Sequence, residues 1–339
     1  METRQAANAG RADTGGAEAS GAEAGERRIS TDIPQRMDRL PWSSWHMRII
    51  TALGTSWLLD GLEVTLVGSL SGILESRSGL GLSDPQVTAA ATTYLIGAVL
   101  GALLFGYLTD RLGRRKLFLV TLATYSIATV ASAFSWGFGS FAMFRFFTGV
   151  GIGGEYAAIN SAVDELIPGK VRGTVDLLVN GTFWVGASAG SLVAMFLLQG
   201  HGIPIDRGWR YAFGIGGCLG AVVLVLRLFV PESPRWLMLR GKEEEADRIV
   251  KDIEQRATHG KPETLPAPEG EKLNLAVRDH TPLREIFENM IGENRSRSFL
   301  ALVLMAAQAF FFNAIFFSYG LIVKRFYHCL LYTSPSPRD

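Results

Sequence analysis

Seven apolar stretches dominate the chain, and each is long enough to cross a lipid bilayer, which needs roughly 20 residues as a helix. None of them alternates apolar and polar residues with period two, so helices are favoured over a barrel. Six of the stretches are grouped, and the seventh follows a polar interval, 238–297. The predicted spans are 48–72, 87–108, 117–136, 140–163, 174–198, 211–230 and 298–322.

The composition fits a membrane protein and excludes several other classes. Apolar residues make up 48% of the chain and charged residues 19%, and the net charge of +1 provides no basic surface for nucleic acid. Cys218 and Cys329 match no metal spacing or disulfide framework, and the five histidines form no HExxH pair. We therefore expect no nucleic-acid partner, no metal and no cofactor.

Basic residues are concentrated in alternate loops, which predicts the orientation of the chain in the membrane. The opposite loops carry only Arg77, Arg207 and Arg210 around the chargeless turn GFGS. The amino terminus and the even-numbered loops are therefore expected to face the cytoplasm, in a multi-pass protein of the cytoplasmic (inner) membrane. The basic residues on that side are Arg111, Arg114, Arg115, Lys116, Lys170 and Arg172.

The first span carries two acids within an otherwise apolar run, WLLDGLEVTLVG. With about 1.5 Å of rise per residue, Asp60 and Glu63 lie roughly 16 and 21 Å from the cytoplasmic edge of a core about 30 Å thick. Arg145, in the oppositely directed fourth span, lies roughly 8 Å below the outer edge, and Glu63 about 9 Å below it. The matching depths predict that Glu63 and Arg145 face each other.

Two interpretations of these charges stay open. Each charge at mid-membrane costs about 2.5–3.5 kcal/mol on insertion scales, so all three residues must be paired or face water. In the first interpretation, Glu63 and Arg145 form a structural pair that fixes helix packing. In the second, Asp60 or Glu63 gains and loses a proton while Arg145 competes for the carboxylate, which couples a proton gradient to transport.

The loop after the second span reads GYLTDRLGRRK. Gly106 permits the close approach of another helix, and Gly113 permits a tight turn. Asp110 lies beside the cations and can pair with Arg111 or Arg114. A basic loop that only sets topology explains the cations but does not explain the spacing of the glycines and the acid.

Three motifs carry a resemblance to a known family. GYLTDRLGRRK resembles the loop-two signature of the major facilitator superfamily. RFFTGVGIGGEY, followed by DELIPGKVRG, resembles the corresponding stretches of the sugar porters and related metabolite symporters, and PESPRWL at 231–237 is similar to the sugar-porter signature that ends the sixth span. The resemblance runs from about residue 45 to 327.

The resemblance implies an all-α integral membrane fold of two six-helix halves, each with 3+3 inverted repeats, around a midplane substrate site. We expect the missing second half to be required for function, so that the chain alone does not transport. The implied domains are a disordered cytoplasmic tail (1–45), the first six-helix half (46–237), a cytoplasmic central loop with helices (238–297), the first helix of the second half (298–327) and an anomalous Ser/Pro tail (328–339).

The resemblance also implies roles for single residues. Glu63 stands where the sugar porters have an aspartate, and Asp60 matches the first acid of an Asp-Gly-x-Asp pattern found in aromatic-acid symporters. Arg145 matches the arginine that partners the acid during proton coupling. A cytoplasmic gate, the charge network that closes the inner side, is implied at Gly106, Asp110, Arg111, Gly113, Arg114, Arg115, Glu165, Arg172, Gly173, Glu232 and Arg235.

Several assignments have alternatives. Glu232 and Arg235 also fit an exposed surface pair of little energetic consequence. Glu155, roughly 8 Å from the inner edge of the membrane, either joins the gate or extends to the interface. Substrate-binding candidates are Gln308 and Asn313 in the seventh span, where polar contact between helices is an equal alternative, and Asn180 and Trp184 in the fifth.

Other functional classes were weighed against transport. GVGIGG places Gly149, Gly151 and Gly154 in the GxGxxG register of dinucleotide sites, but here it lies within an apolar helix, where small residues serve helix packing. A passive facilitator and a membrane receptor without transport stay open as alternatives. The expected function is secondary transport of a small metabolite, a sugar or an organic or aromatic acid, through the lipid bilayer by proton symport with alternating access.

Overall fold

The computed structural model describes residues 28–76, 79–198, 204–276 and 283–327. Over these residues the chain is largely helical, with one two-stranded sheet. The elements in chain order are β1 (Arg28–Thr31), α1 (Ile33–Asp38), α2 (Ser44–Glu75), α3 (Asp84–Leu112), α4 (Arg114–Ser132), α5 (Phe138–Leu166), α6 (Gly169–Leu198), α7 (Ile205–Arg227), α8 (Pro234–Leu239), α9 (Glu243–Ala257), β2 (Leu273–Ala276), α10 (Leu283–Ile291) and α11 (Arg295–Tyr327).

Long helices coincide with all seven predicted spans, namely α2 to α7 and α11. The prediction places the third span three residues too late, because α4 begins directly after Gly113, whose φ of +89° ends α3. Five stretches in the described residues are long and apolar enough to cross a membrane: Ser44–Glu75, Asp84–Thr109, Gly169–Leu197, Arg207–Arg227 and Arg295–Phe312. The two helices outside this set, α4 and α5, pack against each other.

Helices α2 to α7 pack in a pattern that repeats. The main contacts join α3 to α5 and α2 to α6, and further contacts join α4 to α5 and α2 to α7. When α2, α3 and α4 are matched to α5, α6 and α7, each of these contacts maps onto another one. This packing fits two inverted three-helix repeats and confirms the predicted fold class. We call this six-helix unit the bundle.

The outer surface of the bundle is apolar. Large apolar side chains are exposed along its helices, as they are in proteins whose surface contacts lipid rather than water. Five charged residues of these helices are buried inside the bundle instead, and the next section describes them: Asp60, Glu63, Arg145, Glu155 and Arg227. Examples of the exposed apolar residues are Leu103, Ile127, Leu177, Phe196 and Phe229.

A cap, formed by β1, α1, α8, α9 and β2, covers one end of the bundle. Strand β1 pairs antiparallel with β2, from Arg28 opposite Ala276 to Thr31 opposite Leu273. The predicted charged helix in the polar interval is confirmed as α9, which packs against α1 and α2.

The predicted disordered tail reaches residue 45, and for residues 28–45 this prediction is wrong. Ile29, Ile33 and Met37, spaced four apart, are buried in a core that also contains the apolar face of α9. Burial of that stripe stabilises the ordered segment. Residues 1–27 and the predicted anomalous tail, 328–339, lie outside the described residues.

Ion pairs attach α1 to α9. Arg36 Nη2 and Arg39 Nη2 lie 2.7 and 2.6 Å from the two carboxylate oxygens of Glu254, and Arg36 Nη1 lies 2.6 Å from Asp247. Burial alone would raise the pKa of Glu254, but hydrogen bonds from the two arginines outweigh it and lower that pKa. Hydrogen bonds from Lys251 and Arg36 lower the pKa of Asp247.

Candidate proton-coupling and gate site

One face of α2 carries three polar residues inside the bundle: Ser56, Asp60 and Glu63. Residues three and four apart lie on the same side of a helix, so the three side chains share one face. Each residue is only 1% exposed. This face therefore brings two acids and a hydroxyl into an interior that excludes water.

Arg145 of α5 forms a buried ion pair with Glu63, as depth matching predicts. Arg145 Nη1 donates to Glu63 Oε1 at 2.5 Å, and Thr129 Oγ1 of α4 donates to Glu63 Oε2 at 3.0 Å. Arg145 Nη2 donates to the hydroxyls of Ser132 and Thr148, both at 3.1 Å. Both oxygens of Glu63 are thus satisfied, and the guanidinium is held in one geometry.

Asp60 is placed differently from Glu63. Both of its carboxyl oxygens are buried, and neither has a hydrogen-bond partner among the described residues. Its electrostatic neighbours are Glu63, Glu155 and Arg227. The structure therefore brings Asp60 into the same interior as the Glu63–Arg145 pair without including it in that pair.

A second buried ion pair joins α5 to α7. Arg227 Nη2 lies 2.8 Å from Glu155 Oε1, with the two side chains 0% and 1% exposed. The same nitrogen donates to Ser56 Oγ at 2.6 Å, which ties the pair to α2. The alternative in which Glu155 extends to the membrane interface is therefore wrong, because Arg227 holds its carboxylate in the interior.

Sequence reasoning missed Arg227. It lies inside the predicted sixth span, at its polar end. A cation within a span calls for a buried partner, and Glu155 is an acid in a neighbouring span that also needs one. Those two requirements are the signal that would have linked the residues.

The loop after α3 makes the tight turn that Gly113 predicts. The φ of Gly113 is +89°, and a side chain added there would meet the carboxylate of Glu232. Glu232 Oε1 accepts hydrogen bonds from the backbone nitrogens of Arg114 and Arg115, at 2.9 and 3.3 Å. Glu232 therefore caps the amino terminus of α4, which contradicts the interpretation of this acid as a member of an exposed surface pair.

Arg114 links the same loop to the end of α5. Its Nη1 lies 2.6 Å from Glu165 Oε2, which also accepts a short hydrogen bond from the hydroxyl of Ser233. The loop after α3, the end of α5 and the start of α8 are thus connected through one carboxylate. The side chain of Asp110, predicted to pair with Arg111 or Arg114, lies outside the described part of the structure.

In the contacts described, none of the other predicted gate cations pairs with Glu165 or Glu232. The guanidinium of Arg111 lies 4.5 Å from the centre of an aromatic ring on its own helix. Arg172 donates to the carbonyl of Ile167 at 3.2 Å and lies 3.6 Å from Asp38 of the cap. Arg235 is exposed.

The glycines divide into two groups. A side chain added at Gly149, Gly151 or Gly154 would meet atoms of α3 or α4, which confirms that GVGIGG serves helix packing. One added at Gly106 or Gly173 would meet nothing within 4 Å among the described residues. The predicted close approach of another helix at Gly106 is therefore not present in this part of the chain.

The structure describes three of the four substrate candidates, and none of the contacts described joins these three to one another. Asn180 donates to the backbone carbonyl of Asp176 on its own helix at 2.8 Å. Trp184 is 57% exposed, and Gln308 is exposed on α11. The side chain of Asn313 lies outside the described part of the structure.

Trp184 belongs instead to a wall of aromatic rings that crosses four helices. Trp57 of α2 stacks on Tyr156 of α5, with ring centroids 4.6 Å apart and planes 11° apart. Phe183 of α6 lies 6.4 Å from Trp57 and 5.6 Å from Trp184, and Phe312 of α11 lies 6.0 Å from Trp184. We call these five residues the aromatic wall.

A small cavity of about 20 Å³ adjoins the Glu63–Arg145 pair. Its volume suits one water molecule, the kind of occupant that carries protons between carboxylates. Within the described residues, no cluster of three or more His, Cys, Asp or Glu side chains is arranged to hold a metal ion. The cavity is lined by Glu63, Val64, Val67, Ala91, Tyr94 and Arg145.

Curated relatives of the chain are membrane transporters. It is 32% identical over 231 residues to the niacin transporter NiaP of Acinetobacter baylyi, covering 67% of this chain and 50% of that protein. It is 32% identical over 252 residues to the putative metabolite transport protein YyaJ of Bacillus subtilis, covering 74% and 54%. The chain thus spans about half the length of the curated relatives it matches.

The fold resembles that of a solved transporter, and a family model covers most of the chain. A partially occluded inward-open structure of the xylose transporter XylE of E. coli matches with a TM-score of 0.56 and 25% identity, covering 65% of this chain and 58% of that one. The model of the family "Sugar (and other) transporter" matches residues 58–325. The chain therefore belongs to the sugar (and other) transporter family, with the fold of the major facilitator superfamily.

Proposed function

We propose that this chain forms the proton-binding part of a symporter that moves a small metabolite across a membrane. The observation that carries the proposal is the contrast between two neighbouring acids. Glu63 has a cation and a hydroxyl on its carboxylate, whereas Asp60 is buried with both oxygens unpartnered in the described residues. An ionised carboxylate without a partner is costly inside a membrane, so Asp60 carries the proton in this conformation.

Alternating access provides the cycle in which that proton moves. The proton binds Asp60 from the outer side, substrate binds at the midplane, and the two halves of the transporter rock about the site. The contacts of Glu232 and Glu165 with the loop after α3 close the inner end, and they separate when substrate and proton leave. Their position supports this role, because both acids join segments that must part for the inner end to open.

The inner end is the end that carries the cap. The basic loops after α3 and α5 both lie there, since Arg115 contacts Glu232 and the amide of Gly169 donates to Asp38 at 2.8 Å. An excess of Lys and Arg favours the cytoplasmic side. We therefore place the amino terminus and the cap in the cytoplasm, with the bundle in the cytoplasmic membrane.

The substrate that best suits the aromatic wall contains a ring. Aromatic faces bind flat aromatic acids by stacking and present apolar surface to the faces of sugars. Both substrate classes therefore stay in the proposal. The names of the relatives, which include transporters of niacin and xylose, support the same range.

Transport is proposed to require a second six-helix half in addition to the helices of this chain, because the substrate site lies between two halves. Uptake of labelled niacin and xylose into proteoliposomes tests this. We expect no uptake by the 339-residue chain alone and gradient-driven uptake when it is joined to the second half of its niacin-transporter relative. Uptake by the chain alone contradicts the requirement for a second half.

Asp60→Asn in the completed transporter tests the proton carrier. We expect loss of accumulation against a gradient and retention of substrate exchange, because exchange needs no net movement of protons. Glu245→Gln, on the exposed face of α9, is the control. Accumulation that survives Asp60→Asn overturns the assignment, uptake that ignores the proton gradient indicates a passive facilitator, and binding without uptake indicates a receptor.

A further inference from the structure

The buried charges of the bundle do not balance. Among the described buried residues of α2 to α7, the acids and arginines are Asp60, Glu63, Arg145, Glu155 and Arg227. Two arginines offset two of the three acids, and each arginine already has its acid. One buried carboxylate is therefore left over, and a single proton removes the excess charge.

Arg227 uses only part of its guanidinium. Both of its hydrogen bonds, to Glu155 and to Ser56, come from Nη2. Nε and Nη1 are buried and have no hydrogen-bond partner among the described residues. Phe118 covers one face of the group, 4.5 Å from the guanidinium carbon, so it is held in place while two of its donor nitrogens stay unused.

The unused donors and the unused acceptors lie in the same layer of the bundle. Ser56, which touches Arg227, precedes Asp60 by one helical turn on the same face of α2. Asp60 and Arg227 interact electrostatically across this layer. The other charged groups that act on Asp60 are Glu155 on α5 and Glu63 on its own helix. Asp60 in turn acts on the buried hydroxyls of Tyr94 on α3, Tyr125 on α4 and Tyr156 on α5.

We infer that Arg227 is the residue that receives Asp60 when its proton leaves. The O–H bond of the Asp60 carboxyl breaks, the electron pair stays on the oxygen, and the proton passes to water on the inner side. The carboxylate then pairs with one of the two unused donors of Arg227, Nε or Nη1, while Nη2 stays on Glu155. A guanidinium carries N–H donors on several sides and can therefore hold two carboxylates at once. The ammonium group of a lysine is a single point charge and cannot hold both with the same geometry.

This role differs from that of Arg145. Glu63 lies on the other side of Asp60 along α2, and Arg145 of α5 uses both Nη1 and Nη2 for Glu63 and two hydroxyls. Only its Nε has no hydrogen-bond partner among the described residues, whereas Arg227 has two such nitrogens. Arg227 is thus a positioning residue for proton release, acting through Asp60. The inference rests on the proposed function, because it presumes that Asp60 is the proton carrier.

The test is an infrared titration of the 339-residue chain in lipid vesicles, which reads the protonated carboxyl band without any transport. In the unmodified chain we expect such a band, and Asp60→Asn removes it. Glu155→Gln frees Arg227 for Asp60, so the midpoint of the band moves to lower pH by about one unit or more. Arg227→Lys keeps the charge but leaves its single ammonium on Glu155, so the midpoint moves to higher pH.

Glu254→Gln, which breaks an acid–arginine contact in the cap, is the control and leaves the midpoint unchanged. Opposite shifts in the two bundle variants support the inference, and any other result overturns it. If Glu155→Gln does not fold, the shift of the midpoint in Arg227→Lys is sufficient to test the inference. This variant introduces no unpaired charge. If Asp60→Asn retains the band, the proposed function fails; if it removes the band and the midpoint does not shift, only the role of Arg227 fails.

Discussion

The bundle and the cap both contain arginine–glutamate pairs, but the two regions use them differently. Glu63 and Arg145 are each 1% exposed, whereas Arg36 and Arg39 in the cap are 13% and 18% exposed. Water can replace a lost partner in the cap and cannot do so in the bundle. Similar contacts therefore hold helices together across a buried interior in one region, and attach a segment in the other.

The largest expected effect comes from breaking the pair in the bundle. Glu63→Gln leaves Arg145 as a buried cation without its acid, and we expect it to lower the free energy of unfolding by about 3–5 kcal/mol. Denaturant unfolding of the reconstituted chain measures this cost. The matched cap variant, Glu254→Gln, leaves its two arginines within reach of water, and an equal cost for both variants would falsify the contrast between the regions.

In the bundle, helix backbones come into direct contact with one another at glycines. A side chain added at Gly186 of α6 would meet the backbone of Leu58 in α2, and backbone atoms cannot move aside. We expect Gly186→Ala to destabilise the bundle by about 1–3 kcal/mol. Gly181→Ala is the control on the same helix, because nothing lies within 4 Å of its added methyl group.

Thermal unfolding in detergent compares the two glycine variants. Gly181→Ala is expected to be neutral or slightly stabilising, since alanine favours a helix over glycine by about 1 kcal/mol. Equal effects at the two positions would mean that close approach of α2 and α6 does not hold the bundle together. The cap should respond to neither variant in proteolysis of β1 and β2.

The cap pair gives a smaller effect. Glu254→Gln removes hydrogen bonds from Arg36 and Arg39, and we expect the attachment of α1 to weaken by about 1 kcal/mol. Amide hydrogen exchange across β1 and β2 measures this locally. Faster exchange in the bundle helices as well would show that the cap supports the bundle rather than merely covering its end.

The smallest effect is a dependence of the cap on pH. The pKa values of Glu254 and Asp247 are lower in the folded chain than in the unfolded chain. Their contribution to the stability of the cap is therefore present above the unfolded pKa values, near pH 4, and is lost as the pH falls through the folded pKa values. The protection of the cap amides, measured relative to the intrinsic exchange rate at each pH, is therefore expected to be constant around neutral pH and to fall only in acid. In Glu254→Gln most of this fall disappears, and an unchanged fall would exclude Glu254 as its source.

Local features were enough to predict much of the molecule. The length of each apolar run depends only on the sequence, and so the seven spans were predicted to within a few residues. The pairing of Glu63 with Arg145 followed from depth along two oppositely directed helices. The turn at Gly113 followed from the conformational freedom of glycine.

Predictions that depend on lateral packing were less successful. Gly106 looked suited to helix contact, but a sequence does not say which helix, if any, lies beside it. The tail up to residue 45 looked disordered because its composition is polar, and the apolar stripe at Ile29, Ile33 and Met37 has meaning only once α9 lies against it. Arg227 was overlooked because it lies at the polar end of its predicted span, where a cation can also face water, and only the structure shows it buried against Glu155.

By itself, the sequence determined that this chain crosses a membrane several times and carries acids and arginines at membrane depth. Hydropathy, helix length and residue order decide those properties, and all three can be counted along the chain. The tertiary structure alone decided that Glu155 pairs with Arg227 and that Asp60 has no hydrogen-bond partner among the described residues. That depends on the rotation of α2, α5 and α7 about their axes, which close packing sets at glycines such as Gly61 on α2, Gly149 on α5 and Gly217 on α7. Rotated in this way, the helices place Glu63 on Arg145 and Glu155 on Arg227 and leave Asp60 buried between them.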